Sequence, residues 1–475
     1  MTFTEQSLSV QLAGIPQGSR LVVAFSGGLD SSVLLWSLSR LLQQNNPSAF
    51  GLAAIHVNHG LSPNAATWQQ FCADTCARLD IELRVEQVHI SRQSGASLEN
   101  LARQQRYAAF IRCLQPGDCL VMGHHLDDQA ETFLLRTLRG SGPRGLAAMP
   151  ATRTLGRGAS LRPFLRPLLR PLLGVTRQAL EHYARAQQLQ WIEDESNDST
   201  AFDRNFCRHE LLPVIAKRWP TYRENWRRSA ELCAEAEALL QELAAQDYAL
   251  TATQDETVIA VAALAQLSPA RQRNLLRYWL QRLRVADPGW NTLQQIVTEL
   301  LPAAVDAQPE VSWEDRCEDR YEGRYEDSGE SGAVRRVLRR FRDRLYLLQA
   351  APSLTSTECY DWTPPAPLAL PGNGGLRVSP GIGSGLRQLQ GTVLQIRYRQ
   401  GGESCRLAGR RTRALKKVLQ DAAVAPWLRE RLPLLYAGDE LICVPGVGIC
   451  EGWQAQAGEP SWEVIWSPHS DIPAC

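Results

Sequence analysis

The sequence predicts an α/β protein: an N-terminal domain built on a doubly wound parallel sheet, then a mainly helical domain, then a small α+β domain. Three observations predict it. Over residues 20–123, short apolar runs alternate with helix-length amphipathic stretches, the pattern of βαβ units with helices on both sheet faces. From about 215 to 350, Ala/Glu/Leu-rich helical patterns take over, and a Pro/Thr/Gly-rich stretch then precedes short strand-like runs. The length, 475 residues, suits about three domains of roughly 150 residues each.

Each element has its own signal. Residues 20–25 (RLVVAF) end in Ser-Gly-Gly and read as a buried strand, followed by a helix over 32–42. Residues 51–57 (GLAAIHV) and 81–88 read as strands around a helix at 67–79. A helix over 97–114 leads to a fourth strand at 119–123, with a fifth expected near 161–165 and a helix at 176–188. In such sheets a ligand lies outside the carboxyl ends of the strands, where strand order switches, so the loops directly after strands are where chemistry is expected. Further helices are expected at 222–246, 269–283 and 291–301. Residues 314–330 hold eight acids against three arginines, and 335–344 hold six arginines and one acid. That reads as a solvated hairpin or loop whose ends attract each other. The expected domains are 1–215, 216–350 and 376–475, with a linker at 351–375; the last has strands at 392–398 and 440–444 and a helix starting near Thr412.

Composition removes several function classes. With 51 Lys+Arg against 50 Asp+Glu the net charge is +1, which argues against a polybasic or acidic-tail protein. The balance hides segregation. Residues 132–177 hold nine arginines and no acid, and 376–417 hold ten basic residues and one acid, Glu403. Two such stretches suit a phosphate backbone, although an exposed loop of one-sided charge would produce either alone. The 12 cysteines include no C-x-x-C pair, which removes the usual signature of zinc ribbons and thioredoxin-like redox sites. No window approaches 18 consecutive apolar residues, and the start lacks a basic segment followed by an apolar core. A cytoplasmic protein without a membrane span is expected. The sequence leaves monomer and homodimer both open.

The strongest local signal is Ser26-Gly27-Gly28-Leu29-Asp30-Ser31-Ser32, set between a strand and a helix. Its glycines permit backbone angles that turn successive N–H groups onto an anion, and the following helix adds the positive end of its dipole. It has neither the G-x-G-x-x-G of dinucleotide loops nor the Gly-Lys-Ser/Thr of Walker loops. With no lysine nearby, neutralisation falls to Mg²⁺ or arginine, and Asp30 is suited to holding a metal. The competing reading is a plain strand–turn–helix connection. A second constellation follows the fourth strand: His124, His125, Asp127, Asp128 and Glu131 emerge at the same sheet edge. In a helix starting at Asp127, Asp128 and Glu131 share a face. Paired carboxylates there can hold Mg²⁺, or bind and deprotonate an incoming amine. The alternative is a capped helix with Asp127 as an N-terminal charge.

The S-G-G-x-D-S-S loop resembles that of the ATP pyrophosphatase (PP-loop) superfamily. Further stretches narrow the resemblance to the bacterial tRNA(Ile)-lysidine synthases. They are His56-Val57-Asn58-His59-Gly60-Leu61, Gly123-His124-His125-Leu126-Asp127-Asp128-Gln129-Ala130-Glu131-Thr132, Arg139-Gly140-Ser141-Gly142 with Gly145-Leu146, and Arg166-Pro167-Leu168. Glu193-Asp194-Glu195-Ser196-Asn197 and Arg204-Asn205-Phe206-Cys207-Arg208 follow, and Arg411-Thr412-Arg413-Ala414-Leu415-Lys416-Lys417 with Pro433-Leu434-Leu435 resembles that family's carboxy-terminal domain. The acidic segment 314–330 departs from the family, where a short connection is expected.

The resemblance implies that ATP adenylates O2 of the wobble cytidine in the CAU anticodon of tRNA(Ile). The ε-amine of free L-lysine then displaces AMP at C2. It implies ATP binding by Ser26, Gly27, Gly28, Leu29, Asp30, Ser31 and Ser32, with Asp30 on Mg²⁺. His124 or His125 would stabilise the transferring phosphate, and Asp127, Asp128 and Glu131 would bind lysine and cytidine. Arg204 would act in the second step. The expected tRNA contacts are Arg139, Arg144, Arg208, Arg411, Arg413, Lys416 and Lys417. Two rivals stand beside this reading: a tRNA 2-thiolation enzyme, which would need the absent C-x-x-C, and an RNA-binding protein with an inert catalytic platform.

Overall fold

The structure, a computed structural model, describes residues 3–16, 18–44, 50–60, 62–88, 98–155, 166–195, 199–304, 307, 309–315, 334–350, 358–389 and 391–468. The chain forms two compact units, one built on residues 1–242 and the other on 243–316 and 332–475.

The first unit holds a six-stranded sheet of β1 (Arg20–Ala24), β2 (Gly51–Asn58), β3 (Glu82–Gln87), β4 (Asp118–Val121), β5 (Thr152–Leu155) and β6 (Arg166–Leu169), in the order β3-β2-β1-β4-β6-β5. All pairs are parallel except the β5–β6 edge pair. Its helices are α1 (Glu5–Leu12), α2 (Leu29–Gln44), α3 (Ala65–Arg78), α4 (Leu98–Cys113), α5 (Leu126–Leu138), α6 (Pro143–Leu146), α7 (Arg177–Ala186), α8 (Asp203–Phe206), α9 (Leu212–Arg218) and the start of α10 (Tyr222–Thr251). Strand residues alternate between faces, so the unbroken apolar run of β1 serves two cores. Leu21 and Val23 pack with α2 residues such as Leu34 and Leu38 on one side. Val22 packs with Tyr107 and Phe110 of α4 on the other. Order reverses at β1, with β2 on one side and β4 on the other, so the loops after β1 and β4 open side by side.

Four of the expected strands appear where the apolar runs lie. The fifth, expected near 161–165, falls on residues outside the described ones, and β6 covers Arg166–Leu169. The antiparallel edge strand β5 carries too little apolar pattern to be anticipated, with only Leu155 buried.

The second unit adds to one expectation and corrects another. The region read as mainly helical also holds a four-stranded antiparallel sheet, β7 (Val258–Ala260), β8 (Glu310–Asp315), β9 (Val334–Phe341) and β10 (Arg344–Gln349), in the order β7-β10-β9-β8. It packs with α11 (Val261–Ala265), α12 (Pro269–Arg282) and α13 (Trp290–Gln295), which continues as a π turn over Ile296–Leu300. The arginine run 335–344 is thus strand and turn. Its charges face acids across the pair: Arg336 Nε lies 3.2 Å from Asp315, and Arg339 Nε donates to Glu310 at 2.9 Å. Opposite charges across strands stabilise the pairing, so the start of the acidic segment, at Asp315, meets the arginine run, while 316–333 lie outside the described residues.

The expected linker 351–375 is also corrected. Residues 351–357 lie outside the described residues, but Cys359–Trp362 pairs with Leu394–Arg397, and Trp362, Leu370 and Asn373 are buried. Turn-forming Pro and Gly between very short strands resemble a linker in sequence alone. A five-stranded sheet (Cys359–Trp362, Leu394–Arg397, Leu434–Ala437, Glu440–Val444, Gly448–Ile449) and a four-stranded one (Leu368–Ala369, Gly375–Ile382, Pro460–Ser467, Leu386–Arg387) share a core. The helix expected near Thr412 is Leu415–Asp421. No helix among the described residues is long and apolar enough to cross a membrane.

Candidate active site

The loop after β1 is shaped by two glycine requirements. Gly27 has φ +83°, and a Cβ there would meet Ile192 Cδ1 at 2.6 Å and Cys72 Sγ at 3.1 Å. Both the left-handed backbone and the space demand glycine. Gly123, after β4, would press a Cβ against the backbone of Asp30 at 3.1 Å, so its bare Cα lets the two loops meet. Serines lock the turn. Ser31 Oγ donates to Gly28 O at 3.0 Å, Ser32 Oγ to Gly27 O at 3.2 Å, and Ser26 Oγ lies 3.1 Å from Ser31 Oγ. With Leu29 buried under it, the loop turns into α2 with Asp30 in the first turn.

Asp30 is where the metal expectation can be tested. Its Oδ1 is buried and accepts no hydrogen bond, and its Oδ2 lies 3.5 Å from His125 Nε2 and 3.7 Å from Arg177 Nη1. An orphaned carboxylate oxygen beside a phosphate loop fits a cation. No cluster of three or more His, Cys, Asp or Glu side chains suited to a metal occurs among the described residues. A cation there would share its coordination with substrate phosphates and water, as Mg²⁺ commonly does.

After β4 the two histidines part company. His125 is the N-cap of α5: its Nδ1 lies 3.3 Å from the Asp128 N–H, and its own N–H donates to Asp128 Oδ2 at 3.0 Å. Burial opposes a charge on its ring, yet Asp128, Asp30 and Asp127 outweigh burial and push its pKa up to about 9. His124 goes the other way. Burial, reinforced by Arg170, Arg204 and Arg103 against the pull of Asp128, holds its pKa well below the ordinary value. Its Nδ1 accepts from Arg170 Nε at 3.3 Å, which leaves the proton of the neutral ring on Nε2.

Asp128 and Glu131 lie on one face of α5, as their spacing predicts, and both are buried. Two arginines from the segment 203–211 meet them. Arg204 donates from Nε to Glu131 at 2.7 Å and from Nη2 to Asp128 at 3.0 Å. Arg208 donates from Nε and Nη2 to Glu131 at 2.6 and 3.0 Å. Burial works against the Asp128 carboxylate, but His125, Arg204 and His124 hold its pKa well below the usual carboxylate range. Charge-assisted, forked pairs of this kind fix geometry as well as charge.

Three expectations change on this geometry. Arg208, expected on tRNA, is turned inward onto Glu131. Asp127, expected with the lysine-binding group, has both oxygens engaged: the backbone N–H of Arg177 donates to one at 2.8 Å and Arg223 Nε to the other. It ties α7 and α10 to the start of α5. His125 is engaged at both ring nitrogens, by Asp128 and by Asp30, whereas His124 meets Arg170 through Nδ1. Arg139 remains exposed and pairs with the exposed Asp203 at 3.3 Å, and Arg144 sits on α6. Arg411, Arg413, Lys416 and Lys417 are exposed in the second unit, with Arg413 paired to Asp421.

Sequence reasoning missed Arg170, Arg177 and Arg223. Arg170 is fully buried, donates to Pro150 O at 2.9 Å and sets the His124 tautomer. Its signal was a cation at the end of the apolar strand β6, a costly placement without a partner.

Comparisons with known proteins agree with this architecture. The PP-loop domain family model matches residues 3–215, the TilS substrate binding domain 260–346, and the TilS substrate C-terminal domain 394–466. The chain is similar to a tRNA(Ile)-lysidine synthase of Coxiella burnetii, 39% identical over 469 residues, 98% of this chain and 97% of that protein. It is 40% identical to one from Alkalilimnicola ehrlichii over 98% of this chain and 97% of that protein. With one from Pseudomonas putida it shares 44% identity over 435 residues, 89% of this chain and 91% of that protein. At that identity over nearly its whole length, with all three domain models in order, the chain belongs to the tRNA(Ile)-lysidine synthase family.

Proposed function

We propose that this protein is an ATP-dependent ligase that builds lysidine at the wobble cytidine of tRNA(Ile) with a CAU anticodon. The observation that carries the proposal is the pair Asp128 and Glu131, neutralised by Arg204 and Arg208, opening beside the Ser26–Ser32 turn at the reversal of strand order. In the first step the cytidine O2 attacks the α-phosphate of ATP, forming an O–P bond as pyrophosphate leaves. The N–H groups and hydroxyls of Ser26, Gly27, Gly28, Ser31 and Ser32 receive the pyrophosphate. The neutral His124 offers its Nε2–H to the transferring phosphoryl oxygens. Asp30 would hold Mg²⁺, which supplies charge neutralisation on the departing pyrophosphate.

In the second step the lysine ε-amine attacks C2, AMP leaves, and the nitrogen gives up a proton. Asp128 and Glu131 bind the incoming ammonium in place of a guanidinium. While Arg204 and His125 face it, Asp128 is a weak base. Transfer of Arg204 from Glu131 to the adenylate phosphate opens Glu131 to the ammonium, and Glu131 takes the amine proton when the adenylate is in place. Arg208, still forked on Glu131, keeps that carboxylate aimed. Arg139, Arg144, Arg411, Arg413, Lys416 and Lys417 contact the phosphate backbone.

The test is incorporation of radiolabelled free lysine into a tRNA(Ile) transcript with a CAU anticodon, in ATP and Mg²⁺, beside a tRNA(Met) control. Label in the isoleucine transcript alone is expected. Pyrophosphate release without label would keep the ATP site and remove lysine as the nucleophile.

A further inference from the structure

The segment that carries Arg204 and Arg208 has a second face. Phe206 N donates to Phe202 O at 2.9 Å, so these rings sit one helical turn apart on the same side. Arg204 and Arg208, also one turn apart, occupy the opposite side and reach Asp128 and Glu131. The aromatic side faces solvent: Phe202 is 39% and Phe206 44% exposed. The Arg139–Asp203 ion pair at 3.3 Å draws the end of α5 against this segment, and there Leu138 is 66% exposed and the Arg139 side chain 68%. Single exposed apolar residues are ordinary. Two phenyl rings on one side of this segment, with a leucine and a cation at the adjoining end of α5, are not single scattered residues.

We propose that Phe202 and Phe206 form a stacking platform for the nucleobase that adjoins the reacting cytidine in the same strand. This rests on the RNA-modifying reading above. A cytidine whose O2 and C2 must be reached from two directions has to leave its stack, and its neighbours then lose a stacking partner. Exposed aromatic faces beside a cation are what single-stranded bases take in exchange, without regard to base identity. Charge selects RNA as the occupant over a protein partner: the chain from 132 to 177, which includes Arg139, holds nine arginines and no acid. The inward arginines serve the chemistry, and the outward rings hold the strand from which the reacting base is turned out.

The experiment uses the full chain and two anticodon stem-loop RNAs with a CAU anticodon, carrying 2-aminopurine at the position either 5′ or 3′ to the wobble cytidine. Binding of the wild type is expected to change 2-aminopurine fluorescence at one of the two positions. The Phe202→Ala/Phe206→Ala protein should lose that change and raise the KM for tRNA by about 5- to 150-fold, with the KM for ATP unaltered. Phe202→Tyr/Phe206→Tyr, which keeps both rings, should restore both readouts. No fluorescence change at either position with the wild type, or an alanine variant with unaltered tRNA KM, overturns the platform. Lysine incorporation by the wild type into full-length tRNA(Ile) runs alongside. If that fails, the RNA-modifying reading has failed; if it succeeds while the rings prove silent, only the platform has.

Discussion

Two sets of basic residues that look alike in sequence behave as opposites in the structure. Arg204 and Arg208 are three-quarters buried and spend their donors on Asp128 and Glu131. Arg411, Lys416 and Lys417 stand exposed, and Arg413 meets Asp421 at the surface. The difference lies in what faces them. A buried guanidinium left without polar partners is costly, and the two carboxylates meet that need for Arg204 and Arg208. Solvent makes the second set cheap to leave unpaired, and unpaired charge is what a phosphate backbone recruits. A count of arginines therefore says little; the acids opposite them decide whether a cation serves chemistry or affinity.

The largest effect should come from the phosphate side of the buried cluster. Asp30→Ala is expected to lower pyrophosphate release by at least about 1000-fold, the scale of losing a charge-stabilising group at a reacting phosphate. Normal release by that variant, measured with saturating tRNA and Mg²⁺, would end the metal role of Asp30. Next comes Glu131→Ala. It leaves the partly buried Arg204 and Arg208 facing a cavity, and breaking a buried pair costs roughly 3–5 kcal/mol. Denaturant unfolding reads that cost, and a loss under about 1 kcal/mol would mean that the cluster is as solvated as the surface set.

His125 gives the same contrast through pH. Its pKa is raised from the ordinary 6.5 to about 9. Its contribution to stability is therefore fully present below pH 6.5 and is lost as pH rises through about 9, a change of at most about 3 kcal/mol. Unfolding of the metal-free protein at pH 6 and pH 9.5 should show that loss in the wild type and not in His125→Gln. A neutral His125 that merely accepts the Asp128 N–H would give the two proteins parallel pH profiles.

How much of this was legible follows the same division. The phosphate loop and the Asp128–Glu131 pair could be read because their chemistry is local: glycines at a strand end, and two carboxylates three residues apart. Arg170 and Arg223 could not, because they meet His124 and Asp127 across 46 and 96 residues. The partner of Arg208 was hidden for the same reason, since Glu131 lies 77 residues away. In the second unit the arginines of β9 concealed a strand whose acidic partners sit on β8, and turn residues around the buried Trp362 concealed a sheet. Local pattern reports which residues a site can use; only packing reports which cations are already taken.

The smallest effect on stability belongs to the exposed set, and there it is the smallness that matters. Lys416 and Lys417 lie on the helix Leu415–Asp421, whose apolar side is carried by Leu415, Val418 and Leu419. Replacing both lysines with alanine removes no packing and leaves no buried charge. The change in unfolding free energy should stay within about 0.5 kcal/mol, against the several expected for Glu131→Ala. Binding should respond where folding does not. Each lysine–phosphate pairing removed lowers the slope of log affinity against log salt by about 1, so the double variant should flatten it by about 1–2 and weaken tRNA binding most at low salt. An unaltered slope would take these lysines off the RNA. A flattened slope with unaltered folding would mark them as cations that no carboxylate among the described residues claims.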